Sequence, residues 1–287
     1  MNAKTFGSGR AVFRGIGQIM LQPNGWTGAL FLAGIAYGSY LAGIAALLAV
    51  LTGTLTAKLL NYDQAETEQG LYGFSAALVG VALTFYFKPV PVIWLAIIAG
   101  AAIATVIQHA LIQKKLPGFT FPFILVSWSM LYLFHHVYVV PDSLAMTTVF
   151  PDSDELTTPA RGFGEVIFQG SEIAGIIFFL AVFISRPVAA LYGAVAALLS
   201  AFISIRFGEP AQDIHMGLFS FNAVLCAITF AEERPAGGFF VLFAVILSVL
   251  IEIMMLKMNY AVLTFPFVAA SWITLTLQKL LPTKWEK

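Results

Sequence analysis

The feature that most limits how this chain can fold is internal repetition. Arg14-Gly15-Ile16-Gly17-Gln18 recurs as Arg161-Gly162-Phe163-Gly164-Glu165, at an offset of 161 minus 14, or 147. The same offset carries Gln22 onto Gln169, Gly28 onto Gly175 and Phe31 onto Phe178. It also carries Gly70-Leu71-Tyr72-Gly73-Phe74-Ser75 onto Gly217-Leu218-Phe219-Ser220-Phe221-Asn222, with Leu78 landing on Leu225. Further along, Thr120-Phe121-Pro122-Phe123 answers to Thr264-Phe265-Pro266-Phe267 at 264 minus 120, or 144, so the second copy has lost three residues. Self-similarity held over this distance means two copies of one structural unit, each of about 140 residues.

Composition says where those copies reside. Of the 287 residues, 59% are apolar or aromatic and 10% are charged, against roughly a quarter charged in soluble domains. The mean hydropathy of +0.87 is spread along nearly the whole chain, which leaves too little polar surface for a separate soluble domain. Apolar segments lie near 26–41, 42–60, 70–87, 90–112 and 119–139, and again near 173–186, 187–206, 217–231, 237–256 and 263–281. The fold class expected is therefore an all-α polytopic membrane protein, each apolar segment crossing a hydrocarbon core of about 30 Å. The stretch 141–160, with Asp142, Asp152, Asp154 and Glu155 and no basic residue, divides a first repeat at 1–140 from a second at 161–287. Five crossings per repeat is an odd number, so the second enters from the opposite side, giving inverted repeats about a central pore with both termini on one face. On that plan Lys4, Arg10, Arg14, Lys58, Lys114, Lys115, Arg186, Arg234, Lys279, Lys284 and Lys287 are cytoplasmic. Lys88, Arg161, Arg206 and Lys257 face out with the acidic linker, a division of 11 against 4 in the sense of the positive-inside rule.

Several functions are made improbable by what the chain carries. The N-terminus has basic residues but no apolar core followed by a small-residue cleavage site, so no removable signal peptide is expected. Cys226 is the one cysteine, and 15 basic residues balance 15 acidic ones without a cluster suited to nucleic acid. His109, His135, His136 and His215 show no metal-ligand spacing with carboxylates or cysteine, so neither a metal, a cofactor nor an enzyme is expected. Partners should be lipid, further copies of the chain and something small.

The short pieces near 8–22 and 155–169 are too short and too polar to span, and they are read as re-entrant. Backbone that enters a membrane without crossing it is tolerated when it lines a wet cavity. Gln18 and Glu165 fall at equivalent positions there, and each would sit near one mouth of a shared pathway; the alternative is a pair of interfacial helices whose polar groups face headgroup water. Phe74 and Leu78, like Phe221 and Leu225, are four apart and share a helix face, which by itself is ordinary packing. Their small neighbours Gly70, Gly73, Ser75, Ala76, Ala77 and Gly80 suit a tightly packed central helix, and Asn222 is available to hydrogen-bond between helices. Thr120 and Thr264 each stand two residues before a proline. A proline within a helix frees the carbonyl four residues back, so a broken helix with unpaired oxygens is expected at both; a plain kink with Thr bonded to its own backbone is the other possibility.

The segments GLYGFSAALVG with GLFSFNAVLCA, LPGFTFPF with LTFPF, and GQIMLQ with GEVIFQ resemble the urea transporter family, and the likeness spans both halves. The resemblance implies a pore in each protomer, between two inverted five-helix halves, and a homotrimer in a bacterial inner membrane. By position it implies that Gln18 and Glu165 accept urea N–H groups, and that Thr120 and Thr264 mark the narrow middle of the selectivity filter. It also implies a flat slot walled by Leu21, Phe74, Leu78, Val166, Phe168, Phe221 and Leu225. The family pattern usually has Asn at Ser75, Leu-Pro at Tyr260-Ala261 and often an aromatic residue at Leu21. The function expected is passive permeation of urea. A proton- or ion-coupled symporter is one alternative, and it would need a buried carboxylate; Glu252 and its repeat partner Gln108 are read as interfacial. A channel for ammonia or short amides is another.

Overall fold

The computed structural model describes residues 3–143, 157–232 and 235–280. It divides into two compact units, Met1–Val149 and Phe150–Lys287. The division falls within the expected linker 141–160, of which 144–156, with Asp152, Asp154 and Glu155, lie outside the described residues, as do Arg234, Lys284 and Lys287.

The first unit runs α1 (Ala3–Gly17), α2 (Gly25–Gly38), α3 (Tyr40–Leu59), α4 (Gln64–Glu68), α5 (Phe74–Tyr86), α6 (Pro91–Gln113) and α7 (Phe121–Tyr132), the last closing in a π-helical turn, Leu133–Val137. Local chemistry marks the starts. The Asn24 side chain accepts from Trp26 N at α2, Ser39 from Ala42 N at α3 and Asp63 from Glu66 N at α4, each satisfying an N–H that has no carbonyl one turn back. Pro91 opens α6 and Pro122 lies in the first turn of α7, where a missing N–H costs nothing. In α3 the buried positions are Ala42, Gly43, Ala45, Ala46, Ala49, Val50, Gly53, Thr54 and Ala57, a stripe of small residues at helical spacing. Against it lies α5, buried at every position from Phe74 to Thr84. A Cβ on Gly80 would come within 2.5 Å of Ala45 O, so the two backbones approach as closely as glycine allows.

The second unit runs α8 (Thr158–Glu165), α9 (Glu172–Ser185), α10 (Pro187–Arg206), α11 (Ala211–His215), α12 (Phe221–Phe230), α13 (Pro235–Lys257) and α14 (Phe265–Leu280). Its plan is the same. The small residues Ala189, Ala190, Gly193, Ala196, Ala197, Ser200 and Ser204 make the buried stripe of α10, and α12 is the enclosed helix.

Among the described residues α3, α6, α10 and α13 are long and apolar enough to cross a membrane. The other apolar helices are shorter than full crossings; α5 with 13 residues spans about 20 Å at 1.5 Å per residue. The outer faces are apolar as well. Leu95, Ile103, Leu191, Val195, Leu198 and Phe202 are exposed, as lipid-facing positions should be and as a water-facing surface would not. The chain is an integral membrane protein.

Candidate functional site

Gln18 follows the last residue of α1, in a 3-10 turn, Gln18–Met20. Leu21 N–H donates to Gln18 O at 3.0 Å and Gln22 N–H to Gly17 O at 3.1 Å, with Leu21 left-handed at φ 56°. This is a Schellman turn with leucine where glycine is usual. The Gln22 side chain completes it, its Nε2 donating to Met20 O at 2.9 Å. The second unit repeats the turn at Glu165. Phe168 N–H donates to Glu165 O at 3.1 Å, Gln169 N–H to Gly164 O at 3.0 Å, Phe168 has φ 57°, and Gln169 Nε2 donates to Ile167 O at 3.1 Å. Leu21 and Phe168 thus stand at corresponding left-handed positions, which directs two bulky apolar side chains out of otherwise closed helix ends.

Glycine makes these turns possible. Gly17 faces Gln22 O, which a Cβ would meet at 2.5 Å, and Gly164 faces Gln169 O at 2.1 Å. Gly70 and Gly217, at φ 81° and 82°, lie against Gly15 N and Gly162 N. This packing explains the repeated Arg-Gly-x-Gly motif: its glycines let the end of α1 or α8 rest on the turn before the enclosed helix.

The two acceptors are held differently. Gln18 Nε2 donates to Gln69 O at 3.1 Å, which aims the amide and leaves Oε1 as its accepting end. Glu165 is half-buried, and its carboxylate makes no ion pair within 4 Å among the described residues. Arg161, four residues earlier, is instead bound to Glu172 at 2.7 Å. Leu21, Phe168 and Phe221 are also half-buried, whereas Phe74, Leu78, Val166 and Leu225 are buried.

Thr120 and Thr264 are buried, at 3% and 2% exposure, but the broken helix expected there is not what the chain forms. Each threonine stands just before a helix start, and the proline occupies the first turn, where it fits without rupture. The carbonyls expected to be unpaired are occupied. Gly118 O accepts from Phe121 N at 2.9 Å and Val262 O from Phe265 N at 3.2 Å. The residues before the threonines, Phe119 and Leu263, are left-handed at φ 43° and 46°, so these turns too share one geometry.

Two groups read as interfacial are buried. Glu252 is 1% exposed and Gln108 is 5% exposed, because α13 and α6 turn those faces toward the enclosed helices. Asn222 bonds between helices as expected: Nδ2 donates to Glu252 Oε1 at 3.1 Å and to Leu263 O at 3.3 Å, and Oδ1 accepts from Phe267 N at 3.1 Å.

One cluster had no sequence signal beyond scattered polar residues. Tyr72 OH bonds Glu66 Oε2 and lies 2.9 Å from His109 Nδ1, while Tyr62 stacks on the His109 ring at 3.6 Å. It ties α4 and α6 to the turn that supplies Gln69 O. Of the adjacent histidines, His135 lies 3.3 Å from Asp142 and His136 packs on Tyr132, with the two imidazole rings 6.5 Å apart.

A model of the family described as urea transporter matches residues 10–279. The chain belongs to the urea transporter family. It is similar to urea transporter 1 of Ovis aries and of Capra hircus, each 27% identical over 235 residues, and of Rattus norvegicus, 26% identical over 234. These alignments cover 76% of this chain and 61% of each relative, so the chain spans less than two thirds of their length. Both acceptor turns and both threonine turns fall inside the span matched to the urea transporter family.

Proposed function

We propose that the protein conducts urea passively down its gradient, without turnover of a substrate and without an ion or proton partner. Membership of the urea transporter family names the solute. The observation that carries the mechanism is the pair of matching turns that present one acceptor each, Gln18 Oε1 and the Glu165 carboxylate, beside the apolar side chains Leu21 and Phe168. Urea is planar, with four N–H donors in its plane and faces that tolerate apolar contact. Acceptors along an edge and flat walls formed with Phe74, Leu78, Val166, Phe221 and Leu225 suit that shape, and the hydroxyls of Thr120 and Thr264 offer oxygens where the passage is narrow.

Energetics favour this solute class. Each urea donor left unpaired in an apolar passage costs about 1–3 kcal/mol, which a few oxygens offset. Gly118 O and Val262 O keep a second lone pair beside the bond they already accept. An ion would lose far more hydration than such groups restore. The protomer is proposed to use ten crossings in two inverted repeats with cytoplasmic termini, to sit in a bacterial inner membrane and to form a homotrimer.

Buried Glu252 favours one second reading, a proton-coupled carrier, since such carriers place ionisable groups inside the membrane. Proteoliposomes decide between the two. Under passive conduction Glu165→Gln keeps an acceptor and conducts urea, and Glu165→Leu slows it about tenfold, the cost of roughly one unpaired donor. Urea-dependent proton movement in the wild type, together with complete loss of flux in Glu165→Gln, would establish the carrier instead.

A further inference from the structure

The buried pair Asn222 and Glu252 belongs to none of the binding or wall positions above, yet it controls a turn that does. Asn222 follows Phe221 on the enclosed helix α12 and reaches the start of α14. There its amide takes Leu263 O and Phe267 N, the two backbone groups that bracket Thr264, Phe265 and Pro266. Phe267 is the third residue of α14, so its N–H has no carbonyl within its own helix. Leu263 is left-handed at φ 46°, a conformation that is costly for a residue with a Cβ. The turn that carries Thr264 is therefore clamped from another helix.

An amide clamp works in one orientation. Reversed, Asn222 would set its oxygen against Leu263 O and its NH₂ against Phe267 N–H. Glu252 Oε1, 3.1 Å from Nδ2, supplies a second acceptor on the NH₂ side and so selects the working orientation. The first unit has the same turn without this residue pair. Ser75 stands in place of Asn222 and Gln108 in place of Glu252, and neither Ser75 Oγ nor Gln108 Oε1 has a hydrogen-bond partner among the described residues.

We propose that Glu252 is a positioning residue for solute passage, acting through the Asn222 amide on the placement of Thr264. The proposal rests on the reading of Thr264 as a pathway residue. Glu252 contributes an acceptor oxygen, which an amide also has, so its role is met by geometry and needs no change of protonation during transport.

The test is urea permeability by stopped-flow light scattering in proteoliposomes, each variant first shown folded by thermal unfolding and elution volume. Glu252→Gln should stay within about twofold of wild type, whereas Glu252→Met should fall about fivefold or more, as expected when one oriented hydrogen bond is lost. Gln108→Met, at the equivalent position of the first unit, should stay within about twofold. Thr264→Val should lower permeability, and Glu252→Met added to it should lower it little further, because the two changes act on one step. Where Glu252→Met does not fold, Asn222→Ser, which copies the residue native to the first unit, takes its place with the same expectations. A Glu252→Gln loss equal to that of Glu252→Met, full additivity with Thr264→Val, or no effect of the clamp variants would overturn the proposal alone. An unchanged Thr264→Val would instead overturn the pathway reading beneath it.

Discussion

At the scale of single residues, Leu21 and Phe168 show how a side chain reaches its proposed wall position through backbone cost. Left-handed backbone disfavours a residue with a Cβ by about 1–2 kcal/mol, and both residues hold it near φ 57° or 56°. The conformation survives because the turn is bonded around it, twice through the backbone and once through the Gln22 or Gln169 amide. Removing that amide exposes the strain. Gln22→Ala and Gln169→Ala should each lower stability by about 1 kcal/mol, the net worth of one hydrogen bond, read as a lower unfolding temperature in detergent. Urea permeability should fall with it as the proposed slot walls lose their fixed orientation. In the sequence Leu21 stood out only through the family resemblance; the left-handed turn was not legible, because no glycine or asparagine announces it.

Among elements, the shared glycines matter through what they let meet. A Cβ on Gly28 would lie 1.7 Å from Phe13 O, and one on Gly175 would lie 1.8 Å from Ala160 O. In both cases the obstacle is backbone, which cannot rotate away. Gly28→Ala and Gly175→Ala should therefore push α1 from α2, or α8 from α9, at a cost of about 3 kcal/mol. Expression with loss of the folded elution peak would be the visible result. The repeat offset picked out both glycines, and the apolar runs placed the helices to within a few residues. The threonine turns went astray for an identifiable reason. Proline inside an apolar run reads as a kink when the run is taken for one helix, but the helix begins at Phe121 or Phe265, and only three-dimensional hydrogen bonding shows where a helix starts.

For the molecule as a whole, the proposed passive mechanism makes a sharp demand on energetics. Urea should equilibrate across proteoliposomes with no ion gradient, and a protonophore or an imposed pH difference of about 1 unit, worth about 1.4 kcal/mol of driving force to any proton-coupled step, should leave the final urea distribution equal on both sides. Accumulation of urea against its gradient under that pH difference would show coupling. A comparison of urea with formamide, acetamide and ammonia in the same vesicles would measure how narrowly the acceptors and walls select.

What this sequence determined by itself was periodic and local. The copies declared themselves by offset, the membrane by apolar length, and Gln18 with Glu165 by standing at matching places in glycine-rich pieces. These follow from the chain's own spacing, which needs no partner to be read. The burial of Glu252 and Gln108, the Asn222 clamp and the bond that aims Gln18 through Gln69 were decided only in three dimensions. Each joins residues at least 30 positions apart, and the register at which one helix packs on another sets which polar group meets which. A carboxyl near the end of an apolar run looks the same in sequence whether it turns to headgroups or to a neighbouring asparagine.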